Sequence, residues 1–104
     1  MRAKHEPKPK RTEQLLQAAL AITQRVGLDK LTREAIAAEC GVTPGLVNEY
    51  LGTMISVRRD VIRHAVKNEI LPIICEAIMR KSPHVARISD DLRERAINTL
   101  RVQS

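Results

Sequence analysis

The sequence predicts an all-α protein, and three observations carry that expectation. Apolar residues recur at intervals of three and four with no strand-like alternation. Tyr50 is the one aromatic residue among 104, with neither Phe nor Trp, so the core must be built from Leu, Ile, Val, Ala and Met. Glycines and hydroxyl residues (Gly27, Gly41, Gly52, Thr12, Thr32, Thr43, Thr53, Ser89) stand where helices would stop and start. No internal repeat or low-complexity segment interrupts the pattern.

Residues 1–11, MRAKHEPKPKR, set Arg2, Lys4, Lys8, Lys10 and Arg11 against Glu6 alone, which is +4 of the net +6. A Pro-containing segment of that charge, with no apolar period, is expected to be a disordered basic arm. It is either a solvated tail or an arm whose Lys8, Lys10 and Arg11 settle along phosphates. The first helix is expected from Thr12, as N-cap, to about Val26. Leu15, Ala19, Ile22 and Val26 form its apolar stripe, and Gly27 ends it.

Residues 31–51, LTREAIAAECGVTPGLVNEYL, read as two short helices joined by a tight turn at Cys40-Gly41-Val42. Thr32 caps the first, with Glu34 in its first turn, where the helix dipole favours a negative charge. Ile36 and Ala37 face inward. Gly41 enters positive φ without steric cost. Thr43 caps the second helix and Pro44 fits its first position, where a missing N–H costs nothing. Val42 and Val47 are expected to bury the turn and this helix. That leaves an outward face of Thr43, Pro44, Gly45, Leu46, Asn48 and Glu49. Such a brace has the form of a helix-turn-helix unit, homeodomain-like with three helices, over residues 12–52, and points to double-stranded DNA as partner.

Residues 53–104 are expected to hold a connecting helix and C-terminal dimerisation helices. Thr53 caps a long helix carrying Ile55, Val61, Ile62, Ala65 and Val66, which Pro72 ends or kinks near Ile70. Ile73, Ile74, Ala77 and Ile78 form a short apolar helix, and Lys81-Ser82-Pro83 a break. Ser89-Asp90-Asp91 opens the last helix, with Leu92, Ala96, Ile97 and Leu100 on one face and Arg93, Glu94 and Arg101 outside. Ile73, Ile74, Ile78, Leu92, Ala96, Ile97 and Leu100 either build a two-fold dimer interface, the reading adopted, or close the core of one chain.

The segment between about residues 11 and 66 resembles the DNA-binding domain of the tetracycline-repressor family. The resemblance rests on Leu16, Ala18, Ala19 and Gly27, then Thr32, Ile36, Ala37, Gly41, Val42, Gly45 and Val47, without a gap. The family's usual tyrosine falls on Asn48, its phenylalanine on Leu51 and its frequent lysine on Met54. Tyr50 stands where histidine or tyrosine is usual, so the resemblance implies a phosphate contact there. The family usually continues into a ligand-binding domain of well over a hundred residues, whereas about 38 follow Val66 here. A minimal repressor without a small-molecule inducer is therefore expected.

Within a half-site, Thr43, Leu46, Asn48 and Glu49 are the candidates for base contacts, each being otherwise an ordinary surface residue. Asn48 can grip a phosphate or pair with an adenine edge, Leu46 can pack on a thymine methyl, and Glu49 can accept from a cytosine amino group. Arg33 can reach backbone or groove. Net charge favours a polyanionic partner, against the bland alternative of a merely basic protein.

Catalysis is not expected: there is no Ser-His-Asp set, no Gly-rich phosphate loop and no carboxylate cluster at helical spacing. Cys40 and Cys75 read as reduced buried thiols, and His5, His64 and His84 are too scattered for a metal site, so no cofactor or metal is expected. No apolar run approaches the roughly 20 residues of a membrane span, which predicts a cytoplasmic protein without membrane contact. The competing class is a helical protein-binding module, antitoxin-like or adaptor, whose basic arm meets an acidic protein.

Overall fold

Helices account for the architecture, as expected of an aliphatic chain punctuated by caps. The computed structural model describes residues 8–103, with side chains described for 10–100. The elements are α1 (Lys8–Val26), α2 (Arg33–Cys40), α3 (Pro44–Leu51), α4 (Met54–Lys67), α5 (Leu71–Met79) and α6 (Asp90–Gln103), with short 3-10 turns at Leu28–Lys30 and Pro83–Val85. There is no strand among the described residues. The protein is all-α.

The caps explain where the helices begin. The hydroxyls of Thr32, Thr43 and Thr53 accept from the backbone N–H of Ala35, Leu46 and Ser56, each three residues on. Ser89 does the same for Leu92. Each cap satisfies a donor that the first turn leaves orphaned, worth about 1 kcal/mol.

One aliphatic core runs from Leu15 in α1 to Ala96 in α6. α1 is its spine, packing against α2, α3, α4 and α5, while α5 and α6 pack on each other. The molecule is elongated, 52 × 25 × 22 Å. The core is continuous across residue 52, where the sequence suggested a change of unit.

Several expectations are corrected. α1 starts at Lys8 and not at Thr12, because Pro9 falls in the first turn, where a proline removes no helical hydrogen bond. Lys10 and Arg11 therefore sit on a helix, while the expected disorder of residues 1–7 and the role of the Lys8 side chain fall outside the described residues. Leu15, Ala19 and Ile22 are buried as expected, but Val26, at the last position of α1, is 48% exposed. Thr23 is drawn inward instead, its hydroxyl donating to the Ala19 carbonyl at 2.8 Å.

In α4 the buried stripe is Val57, Val61, Ile62 and Ala65. Ile55 is 80% exposed, since two residues from Val57 is about 200° around a helix. Pro72 does not end α4, which stops at Lys67; it stands in the first turn of α5. Of the residues expected at a dimer interface, Ile73, Ile74, Leu92 and Ala96 are buried in the core of the single chain, and Ile78 is half-buried against it. They hold α5 to α6. Among the described residues of α5 and α6, Met79, Ile97 and Leu100 are the large apolar side chains left exposed.

Candidate nucleic-acid interface

α2 and α3 meet through a three-residue turn that Gly41 makes possible. Its backbone sits at φ 67°, ψ 35°, in the left-handed region where a side chain is penalised. From there Val42 donates to the Ala37 carbonyl at 3.0 Å, closing the turn back on α2. Ile36 and Ala37 below the turn are buried, and Val42 is half-buried against the core.

α3 has two unlike faces. Val47 and Leu51 are buried and anchor it to the core, each contributing about 1.5–3 kcal/mol by leaving water. Thr43, Pro44, Gly45, Asn48 and Glu49 are exposed, as the sequence predicted. Leu46 and Tyr50 are half-buried and pack against the core, so only part of each faces outward. The outward surface is thus narrow, small and polar. Among the described residues, the exposed large apolar side chains, Val26, Ile55, Met79, Ile97 and Leu100, lie elsewhere.

Arg33, in the first turn of α2, reaches this face. Its Nη2 donates to Oδ1 of Asn48 at 3.3 Å, joining two predicted site residues fifteen positions apart. Arg58 of α4 donates to the Leu31 carbonyl at 3.4 Å, beside the start of α2. The Nε atoms of both arginines are buried without a hydrogen-bond partner.

Arg11, at the N-terminal end of α1, stands near the turn. Its positive charge pulls the Cys40 thiol down, against the larger effects of burial and of the Glu39 carboxylate, which together push it up. Glu39 itself is held by Arg25 at 3.2 Å, an exposed pair worth little in stability but one that offsets a carboxylate near this face.

Lys10 is exposed on the same turn of α1 as Arg11. Among the predicted residues, then, Arg33 and Asn48 are brought into contact, and Thr43 serves as the cap of the helix it was expected to read from.

Sequence reasoning missed a second basic feature. A groove of about 280 Å³ beside α4 is lined by Arg58, Arg59, Arg80, Lys81 and His84 around Ile55 and Ile62. Its cations come from segments some twenty residues apart, so no local charge run announced it. Arg59 and Arg80 are paired with Asp60 and Asp29.

No group of His, Cys, Asp or Glu able to hold a metal ion occurs among the described residues. No helix among them is long and apolar enough to cross a membrane. Comparison with models of protein families, with curated proteins and with solved structures finds no match to this chain.

Proposed function

We propose that this chain is a sequence-specific DNA-binding transcriptional regulator, a cytoplasmic homodimer that represses by occupying an inverted-repeat operator. α2 and α3 act as a helix-turn-helix, with α3 in the major groove. The observation that carries this reading is the outward face of α3: Thr43, Pro44, Gly45, Asn48 and Glu49 are exposed and small or polar, on a helix fixed from beneath by Val47 and Leu51. A helix that recognised another protein would present large apolar anchors, and the exposed ones lie on other elements.

The net charge of +6, with Lys10 and Arg11 at the start of α1 and Arg33 at the start of α2, suits a phosphate backbone. Tyr50, partly outward on α3, suits the same role. Met79, Ile97 and Leu100 supply the apolar surface for two-fold pairing. Paired reading helices would then fall about one helical turn of DNA apart, or a multiple of it. In this reading repression is steric, by exclusion of polymerase, and uses no small-molecule inducer.

Gel-shift titration against inverted-repeat duplexes, with random competitor DNA, tests the proposal. A retarded complex that resists the competitor is expected. If about 6–10 phosphates are contacted, affinity should fall by roughly 10³–10⁵ between 50 and 200 mM salt. Deleting residues 1–10 should weaken binding to all sequences alike, whereas Asn48→Ala should lose discrimination at one base pair. Absence of any competitor-resistant complex, with capture of an acidic protein instead, would establish the protein-binding alternative.

A further inference from the structure

We infer that Asn48 reads guanine and not adenine, because Arg33 holds its amide oxygen; the inference rests on the DNA-binding reading of α3. The chemistry of the pair fixes which way the amide lies. Arginine is a donor only, so the Asn48 atom that meets Nη2 at 3.3 Å must be the oxygen. The amide nitrogen, with its two N–H groups, is the end left for a partner.

An asparagine pairs with adenine by accepting from N6 and donating to N7, which uses both ends of the amide. On this face the accepting end is already engaged by a cation. The carbonyl retains a second lone pair, but a base donor using it would stand beside the guanidinium, donor against donor. Guanine presents two acceptors, N7 and O6, and no donor in the major groove. The amide N–H groups of Asn48 and the positive charge of Arg33 match that edge. Cytosine presents a donor and is opposed; thymine presents one acceptor and a methyl group, and matches half of the pattern.

Arg33 is well placed to maintain this state. Its Nε is buried, so the inner edge of the guanidinium is covered while Nη2 reaches out to Asn48. It also lies at the start of a helix capped by Thr32, which fixes the backbone it springs from. In this account Asn48 touches the base, and Arg33 sets which base it accepts.

Selection of binding sites from randomised duplexes tests the assignment, using the full chain and the variants Asn48→Ala, Arg33→Met and Arg33→Lys. The position whose preference Asn48→Ala abolishes should be guanine for the parent chain. Arg33→Met, which keeps the aliphatic stem and removes the donors, should move that position toward adenine. Arg33→Lys, which keeps a donor, should retain guanine. Placing 7-deazaguanine there should weaken binding by about tenfold, as one of two hydrogen bonds is lost.

Adenine at this position in the parent chain, or a guanine preference unchanged by Arg33→Met, overturns the inference while leaving DNA binding intact. If no duplex is enriched by the parent chain, the DNA reading falls and the inference with it.

Discussion

Both oxygens of the Glu76 carboxylate lie 2.8 Å from one donor, the backbone N–H of Leu28. The pair spans 48 positions and clamps α5 to the corner that follows α1. Gly27 turns that corner at φ 94°, and a Cβ there would stand 3.2 Å from Oε2 of Glu76. The bare glycine is what lets the carboxylate approach so closely. A charged acceptor on a partly buried amide makes a strong hydrogen bond, and its loss leaves the amide unsatisfied.

Glu76→Ala should therefore destabilise the fold by about 1–3 kcal/mol, and Glu76→Gln by less, since one acceptor oxygen remains. Urea denaturation followed by circular dichroism measures this. A loss below about 0.5 kcal/mol, the range of an ordinary surface substitution, would show that the clamp contributes nothing.

The α2–α3 turn makes a separate prediction about strain. A Cβ on Gly41 would meet nothing within 4 Å, so the only penalty for a side chain is its left-handed backbone. Gly41→Ala should lose about 1–2 kcal/mol, and Gly41→Asn less, because asparagine tolerates that region better. Equal losses for the two in thermal unfolding would mean that something other than φ sets the penalty.

Cys40 should be a sluggish thiol. Burial raises its pKa most, Glu39 raises it further, and Arg11 offsets part of the rise. The folded protein thus keeps the proton to higher pH than the unfolded chain, and labelling requires the thiolate. In a Cys75→Ala background, the pH profile of disulfide-reagent labelling should lie above that of the denatured protein. Glu39→Gln should bring it part of the way back, burial being the larger cause. A profile coincident with that of the unfolded chain would contradict this arrangement.

The proposed dimer rests on few side chains, which makes it easy to break. Ile97 and Leu100 are 41% and 45% exposed in the single chain, so charging them leaves the core intact. The double variant Ile97→Glu, Leu100→Glu should weaken self-association by roughly a hundredfold or more, since about 0.6–1.3 kcal/mol is available at each half-exposed side chain and a two-fold pair loses four of them. Helicity should be unchanged. Ile55→Glu, more exposed and on α4, should leave association alone. Sedimentation equilibrium reads the comparison, and equal effects would place the interface elsewhere.

What was legible in the sequence was local. Thr32, Thr43, Thr53 and Ser89 each cap a donor three residues away, so a short window of chain contains the whole interaction. Gly41 was likewise readable, because the turn it serves closes within six residues.

What failed was tertiary. Spacing alone puts Ile55 in the α4 stripe, although the buried face is set by packing on α1 and α5 and includes Val57 instead. Ile73, Ile74, Leu92 and Ala96 read as an interface between chains, whereas the fold buries them in the core of one chain. The Glu76–Leu28 clamp and the Arg33–Asn48 contact join positions whose proximity only the folded chain establishes. Pro72 shows the same limit at short range: a proline marks a boundary, and which helix owns it is decided by the segment that packs.

A core assembled without phenylalanine or tryptophan has an optical consequence. Tyr50 is the only residue among Phe, Trp and Tyr in the chain and sits half-sheltered on α3. Ultraviolet emission from the unlabelled protein therefore originates at one place, on the helix proposed to enter the groove. A change in lifetime on adding a duplex reports the surroundings of that helix, with no background from elsewhere in the fold.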